Sequence, residues 1–402
     1  MAIAQAWQVI VNRILYVCLK SFKTMIFRIL NGVYRHLVLP QFKKKCISGE
    51  QFYEEELVLR NIPHESLVPL TGEEQARVQA LFGKIWGGKI QSFKELGLFK
   101  CYNGFDPRYV SHYMYLPLIA HKLNNYHYSK FFEHKSLLGY LVKGSLRFPF
   151  CYVRCIDGEY YDNDMNQLSQ EAAMQLCLEK DSIVVKDSVG SSGGKSVEIL
   201  HLSKLDEAER KNEICRLFRE REQDFVIQEC ISQHPSFAKY NSTSINTLRV
   251  TTLYLNGKYS TLSIVLRCGK NGMKVDNWGS GGIIIGVSET GKVANVGYDI
   301  HLNKIECNNG VHFKNEVLSQ VPALLKAIEQ AHRNQFSLCK LIGWDICFDD
   351  KNMPVVIELN SSQPGLIGEQ LCTGPIFGDR TEEVLDYCAK KKFAYQRSLF
   401  EY

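Results

Sequence analysis

Leu341-Ile-Gly-Trp-Asp-Ile-Cys-Phe-Asp-Asp-Lys-Asn-Met-Pro-Val-Val-Ile-Glu-Leu-Asn360 is the stretch on which the reading of this chain turns. Two apolar runs, Ile342–Phe348 and Met353–Leu359, flank the polar break Asp349-Asp350-Lys351-Asn352, the pattern of a β-hairpin. With an even-numbered loop, Asp345 and Glu358 fall on one face of the paired strands. Asn360 joins them, because strand side chains alternate with period two. Two carboxylates and an amide oxygen on one side of an apolar sheet repel each other unless a cation lies between them. Few hard oxygen ligands with open coordination suit Mg²⁺ carrying substrate phosphates. An ordinary acidic hairpin face is the alternative.

Length and composition set the frame. A chain of 402 residues, 45% hydrophobic and 23% charged, has the make-up of a globular protein with room for two or three domains. Its 14 cysteines are scattered with no C-x-x-C, so a disulfide framework or a zinc site is not expected and a reducing cytosol fits. No run reaches the length of a membrane span, and no cleavable signal pattern is seen. The net charge of +5 is uneven: residues 1–49 hold eight Lys/Arg and no acid, leaving 40 basic and 43 acidic residues beyond them. That excludes a basic core for nucleic acid.

Trp7, Val11, Ile14, Cys18, Phe22, Met25, Ile29 and Val33 recur at helical spacing, with Arg13, Lys20, Lys23, Arg28 and Arg35 on the other side. Such a basic amphipathic helix lies on an anionic membrane surface or docks on its own domain. Thr71-Gly-Glu-Glu74 reads as a capping box. Residues 99–130 are rich in aromatics and His, including His112 and Tyr113, and read as packing. Helices are expected around Asn166–Glu179, Leu202–Glu222 and Glu316–Phe336. Strands are expected at Ser182–Lys186, Ser196–Leu200, Phe225–Ile231, Leu248–Leu255 and Tyr259–Arg267, the last two joined by Asn256-Gly257.

Gly190-Ser-Ser-Gly-Gly-Lys-Ser196 invites a phosphate-loop reading, but Val189 stands where that motif needs glycine, and a strand rather than a helix follows. A Gly/Ser loop between two antiparallel strands reads instead as a lid whose backbone N–H groups fold over phosphate oxygens. Lys186 ends the first strand within reach of those phosphates. Asp276-Asn-Trp-Gly-Ser-Gly-Gly282 is a second glycine-rich loop, and Arg249 and Arg267 are fixed cations suited to a phosphate-transfer centre.

In this order Lys186, the lid, Gln228-Glu229, Arg249, Arg267, Asp345 and Glu358-x-Asn360 resemble the ATP-grasp superfamily. Ser244-Ile-Asn-Thr-Leu-Arg249, Asp276-Asn277, Gly281-Gly282 and Gly343-Trp-Asp345 resemble its sugar-transfer-associated, α-L-glutamate-ligase-related branch. The resemblance runs from about Phe105 to Asp386. It implies an α+β chain with the ATP-grasp fold, two α+β subdomains clamping ATP, behind an N-terminal helical extension. The expected divisions are a basic helical segment 1–48, a helical, aromatic-rich region 49–130, a nucleotide-binding subdomain 131–232 with lid 187–195, and a C-terminal subdomain 233–402 with the metal site. By resemblance, Lys135 (in Phe131-Phe-Glu-His-Lys135, on a helix) and Lys186 bind phosphates, and Gly190, Ser191, Ser192, Gly193 and Gly194 cover them. Gln228, Glu229, Cys230 and Ile231 would meet adenine, while Asp345, Glu358 and Asn360 hold one or two Mg²⁺.

The implied activity is ATP- and Mg²⁺-dependent joining of a carboxylate to an amine through an acyl-phosphate, in cell-surface polysaccharide or sugar modification. Arg249 and Arg267 would be the catalytic cations. The partners are then a small carboxylate and an amine or sugar, in the cytoplasm, with peripheral contact to the inner membrane face through residues 1–45. A sugar kinase of the same fold, and a nucleotide-binding module without turnover, are the alternatives. One departure stands out: many relatives carry Arg two residues before the first metal Asp, where this chain has Gly343. Arg249 or Arg267 would have to supply that charge.

Overall fold

The computed structural model describes residues 62–391 apart from 87–90, 142, 143, 145, 190–195, 222, 223 and 271, together with 51, 55, 58 and 59. The chain divides into the units Met1–Glu54 and Glu55–Tyr402. The expected basic segment 1–48 and its membrane contact lie outside the described residues, as do lid residues Gly190, Ser191, Ser192, Gly193 and Gly194. Among the described residues no helix is long and apolar enough to cross a membrane.

Two antiparallel sheets organise the second unit. The smaller contains β1 (Cys151–Ile156), β2 (Glu159–Tyr161), β3 (Gln167–Leu168), β4 (Ile183–Asp187), β5 (Glu198–Leu200) and β6 (Phe225–Glu229), in the order β3-β2-β1-β6-β4-β5. The larger contains β7 (Thr247–Leu255), β8 (Lys258–Cys268), β9 (Ile283–Val287), β10 (Val293–Tyr298), β11 (Lys304–Ile305), and, after the short ribbon β12 (Cys307–Asn308) and β13 (Val311–His312), the hairpin β14 (Leu341–Phe348) and β15 (Pro354–Asn360). Its order is β11-β10-β9-β8-β7-β14-β15. Local chemistry explains the joints. Asn256 and Gly257 both have positive φ (52° and 76°), as the tight turn between β7 and β8 requires.

Among the helices are α1 (Gly72–Trp86), α2 (Phe93–Asn103), α3 (Tyr126–Glu133), α4 (Lys135–Leu141), α5 (Gln170–Leu178), α6 (Glu207–Glu220), α7 (Val321–Asn334), α8 (Ile367–Thr373) and α9 (Thr381–Lys390). The capping box at α1 forms: Thr71 N donates to Glu74 at 2.7 Å and Glu74 N to the Thr71 hydroxyl at 3.2 Å. The helix expected over 202–222 begins later, because Asp206 caps it in a reciprocal box with Glu209 (2.8 and 3.0 Å). Leu202–Lys204 before it is a 3-10 turn. Lys135 lies on a helix, as expected. The chain breaks at His134, and Lys135 opens α4. Cys230 and Ile231 lie past the end of β6.

Period-two alternation gives the large sheet two unlike faces. Leu248, Val250, Ile264, Ile342, Trp344 and Val356 pack on Leu324 and Ile328 of α7 in an apolar core. Gly343, Asp345 and Arg249 point the other way, toward the chemistry. The small sheet has its own core under α5 and α6, with Val153, Ile183, Val185, Ile214 and Phe225 buried.

Candidate active site

The hairpin connection is odd-numbered, five residues between the paired Phe348 and Pro354, and a β-bulge restores the shared face of the two acids. Asp345 stands directly opposite Glu358 and Gly343 opposite Asn360, with a β-bulge just after Asp345. Asp345 also faces Arg249 on β7, which in turn pairs with Val265 of β8. Asp345 is 3% exposed, so its charge needs partners. It has two: Arg249 binds it through Nε and through Nη2 at 2.7 Å, and Arg267 through Nη1 at 2.9 Å. These guanidiniums hold the Asp345 carboxyl far below the usual range against the cost of burial. Thus part of the cation requirement inferred for this face is met by the protein itself.

Glu358 is differently placed. Its side chain is about a third exposed, and Lys135 Nζ lies 3.8 Å away. Burial, then the neighbouring Asp345 charge, push its carboxyl above the usual range. Asn360 turns its amide to Asp345 at 3.4 Å. Two carboxylates in cross-strand register with an adjacent amide oxygen are a donor set that a divalent cation fits, and Glu358 is the member with repulsion to relieve.

Two side chains from distant helical segments fasten the hairpin ends. Asn124 donates to the carbonyls of Leu341 and Ser361, both at 2.6 Å, and accepts from Lys340 N at 2.7 Å. Glu133, at the end of α3, accepts from the amides of Ser361 and Ser362 at 2.7 and 2.6 Å. The turn after Asn360 is thereby fixed.

Across from the hairpin is the small sheet. Lys135, Phe148, Cys151, Gln228, Ile357 and Glu358 line a narrow cleft between the two. Lys186 is the penultimate residue of β4; burial draws its ammonium below the usual range, an effect Glu358 opposes. The lid root is clipped to α4. Lys135 N donates to the Ser188 carbonyl at 3.0 Å, and the hydroxyls of Ser136 and Ser188 are bonded. Arg154, buried on β1, donates to the Ser136 carbonyl at 2.7 Å. Of the hinge, Gln228 donates to Cys151 Sγ at 3.4 Å, while the Glu229 carboxylate is taken by Phe150 N (2.7 Å) and Arg147 (2.9 Å). Lys135, Lys186, Asp345 and Glu358 are thus brought together; Cys230 and Ile231 lie at the strand end.

Gly343 has a local cause. A Cβ there would stand 3.3 Å from Arg249 Cδ and 3.6 Å from Asn360 Cβ. The Arg249 stem lies across the bare glycine to reach Asp345, so the guanidinium comes from the neighbouring strand.

Beyond the arginines is a second pocket of about 250 Å³, lined among others by His112, Asn277, Trp278, Gly365 and Glu369. Nothing in the sequence marks Glu369, Asn124 and Glu133 as site residues; His112 reads there as packing, and Trp278 only as part of a glycine loop. Glu95, wholly buried, accepts from His112 N and from Tyr113 N at 3.0 Å and so fixes this wall. Burial pushes its carboxyl up to about 7.

Known proteins bear on this arrangement as follows. A search of curated proteins gives no match. Among solved structures the chain is similar to D-alanyl-alanine synthetase A of Vibrio cholerae (14% identity, 60% of each chain, TM-score 0.34). It is also similar to biotin carboxylase of Campylobacter jejuni (12%, 66% of this chain and 48% of that one, TM-score 0.39) and an L-amino acid ligase of Bacillus licheniformis (14%, 64% and 48%, TM-score 0.34). The chain thus spans less than two thirds of the length of each of these three, and at such TM-scores none carries a functional argument. The sequence model of the sugar-transfer associated ATP-grasp family matches residues 118–385, about two thirds of the chain. That span takes in both lysines, both arginines and the whole hairpin, and the chain belongs to the sugar-transfer-associated ATP-grasp family.

Proposed function

We propose that the protein is an ATP- and Mg²⁺-dependent carboxylate–amine ligase that works through an acyl-phosphate. The observation that carries this reading is the meeting of Lys135 with Glu358 at 3.8 Å across a cleft between two antiparallel sheets. Phosphate-binding cations on one side and a carboxylate pair on the other are what Mg²⁺–ATP requires. In this reading Lys135 and Lys186 hold phosphates, the lid 187–195 covers them, and the Gln228–Ile231 stretch meets adenine through its backbone. Asp345, Glu358 and Asn360 would hold one or two Mg²⁺, which supply charge neutralisation at the transferred phosphoryl group. Arg249 and Arg267 are the catalytic cations. Their outer nitrogens, 3.9 Å from Glu369 and 3.7 Å from Asp276, are the less tightly held ones and face the reacting carboxylate. The subdomains 131–232 and 233–402 would close on the nucleotide.

The family's association with sugar transfer supports a substrate that is a precursor of a cell-surface polysaccharide. Residues 1–45 would then hold the enzyme on the inner membrane face, in the cytoplasm. The deciding experiment is ADP release with Mg²⁺, screened over amino acids, uronic acids and amino sugars, with hydroxylamine added. Carboxylate-dependent hydroxamate is the expected product, and Glu358→Ala abolishes it. A phosphorylated sugar indifferent to hydroxylamine would replace the ligase reading with a kinase.

A further inference from the structure

The pocket beside the arginines has a chemistry that tells its two candidate occupants apart. Asp345 already takes Nε and Nη2 of Arg249 and Nη1 of Arg267, so both guanidiniums reach this pocket with part of their donors spent and with charge already compensated. Glu369 is the reverse case. Its side chain is only 9% exposed, it lines the pocket, and its ion pair with Arg249 Nη1 is long at 3.9 Å. Among the described residues no hydrogen bond reaches its carboxylate, which has about four acceptor positions to fill. The fold also makes room for this group: a Cβ at Gly365 would lie 2.1 Å from Glu369 Oε1. Trp278 forms the adjoining wall, its ring spaced at 3.8 Å from where a Gly368 Cβ would be, and its indole nitrogen is buried without a hydrogen-bond partner. A buried, under-engaged carboxylate beside an indole is a recognition site for a cationic amine, through charge and through the ring face.

We infer that this pocket takes the amine nucleophile, a small primary amine rather than the carboxylate substrate, with its ammonium on Glu369 against Trp278. This rests on the ligase reading above. Glu369 accepts one proton from the ammonium. The freed nitrogen pair then forms the C–N bond at the acyl carbon as the carbon–oxygen bond to phosphate breaks. The second amine proton leaves with the phosphate as HPO₄²⁻, and Glu369 returns its proton to water. Glu369 is thereby assigned as a catalytic base.

Intrinsic fluorescence of the full chain with Mg²⁺–ATP tests this, because Trp278 belongs to the pocket. The probes are D-glucosamine, D-galactosamine and glycinamide, each paired with its N-acetyl form, and D-glucuronate. At least one amine should change the emission saturably while its N-acetyl form does not, and Trp278→Phe should remove the response. Glu369→Gln should weaken that amine by at least about tenfold, the worth of a charged hydrogen bond, with Mg²⁺–ATP affinity unchanged. The acetylated comparison needs no variant, so a misfolded mutant does not rescue the idea. A response to glucuronate and to no amine overturns the inference, as does equal response to amine and acetyl amine, or silence of all amines when Mg²⁺–ATP binds. Failure of Mg²⁺–ATP itself to bind overturns the ligase reading, and the inference falls with it.

Discussion

Lysines and arginines face the same reaction space from two sheets, and they are held in opposite ways. Arg249 and Arg267 arise from neighbouring strands of the large sheet and close on one buried carboxylate, Asp345, at 2.7 and 2.9 Å. Lys186 lies near the end of a strand of the small sheet with its ammonium drawn below the usual range by burial, and Lys135 opens a helix 3.8 Å from Glu358, whose side chain is about a third exposed. The arginine side is compensated before any substrate arrives. On the lysine side, burial lowers the pKa of the Lys186 ammonium and Glu358 opposes that effect. The difference teaches that the arginines are tied to the fold through Asp345, while in the proposed reading the lysines would serve the nucleotide.

The largest effect that tests this contrast is at Asp345. Asp345→Asn leaves two buried guanidiniums without their carboxylate, and breaking such a cluster costs about 3–5 kcal/mol. Denaturant unfolding should show that loss, and ADP release should fall by on the order of 10³, since charge stabilisation goes with it. Unaltered stability would mean that the arginines are not structural. Next comes Lys186→Met. Here nucleotide affinity should drop by roughly 10–100-fold, as for a lost charged hydrogen bond, while the unfolding midpoint holds or rises because a desolvated ammonium is removed. A lower midpoint would erase the distinction between the two sides.

These residues differ in how far the sequence exposes them. The hairpin itself was legible, because alternation and a polar break mark the two strands and the turn. Its register was not, since Phe348 pairs with Pro354 across five residues and only the bulge after Asp345 brings that residue opposite Glu358. The β7–β8 hairpin followed from Asn256-Gly257 for the same local reason. Helix starts were displaced where a cap decided them, as Asp206 did, because periodicity alone does not see capping. Glu369, Asn124 and Glu133 carry no local signal at all, and the cluster around His112 signals only packing. Asn124 lies more than 200 positions from the strand ends it clamps. Glu369 acquires meaning only when α8 is laid beside Arg249. The salt-bridged state of Asp345 was also illegible: strand spacing places acids on a face, but not the arginines that arrive from two other strands.

A weaker test concerns the pocket wall rather than the cations. Glu95 is buried, and its carboxyl is pushed from 4.5 up to about 7. A carboxyl whose folded value is raised favours folding when protonated. Stability is therefore fully present below about pH 4.5 and lost as pH rises through about 7. The slope is worth roughly 3 kcal/mol over that window. In Glu95→Gln it should vanish from the pH dependence of unfolding. Because Glu95 binds the backbone amides of His112 and Tyr113, in the wall of the pocket beyond the arginines, Mg²⁺–ATP affinity should change by less than about threefold at fixed pH.

The smallest effect is the most pointed. Gly343 stands where many relatives carry arginine, and the Arg249 stem crosses it at a distance that leaves a new Cβ 3.3 Å from Cδ. That carbon is the middle of a side chain whose head is fixed by Asp345, so it yields by tenths of an ångström rather than swinging away. Gly343 lies within β14 and not in the left-handed region, which removes backbone strain as a cause. Gly343→Ala should then cost no more than about 1–2 kcal/mol, the lower part of the range for overpacking. Its mark should be selective: a small loss in carboxylate-dependent ADP release, with nucleotide affinity intact, because the lysine side does not feel the shift. Were the same substitution to weaken ATP as much as Lys186→Met does, arginines and lysines would be one coupled cluster, and the division between a structural and a waiting set of charges would be wrong.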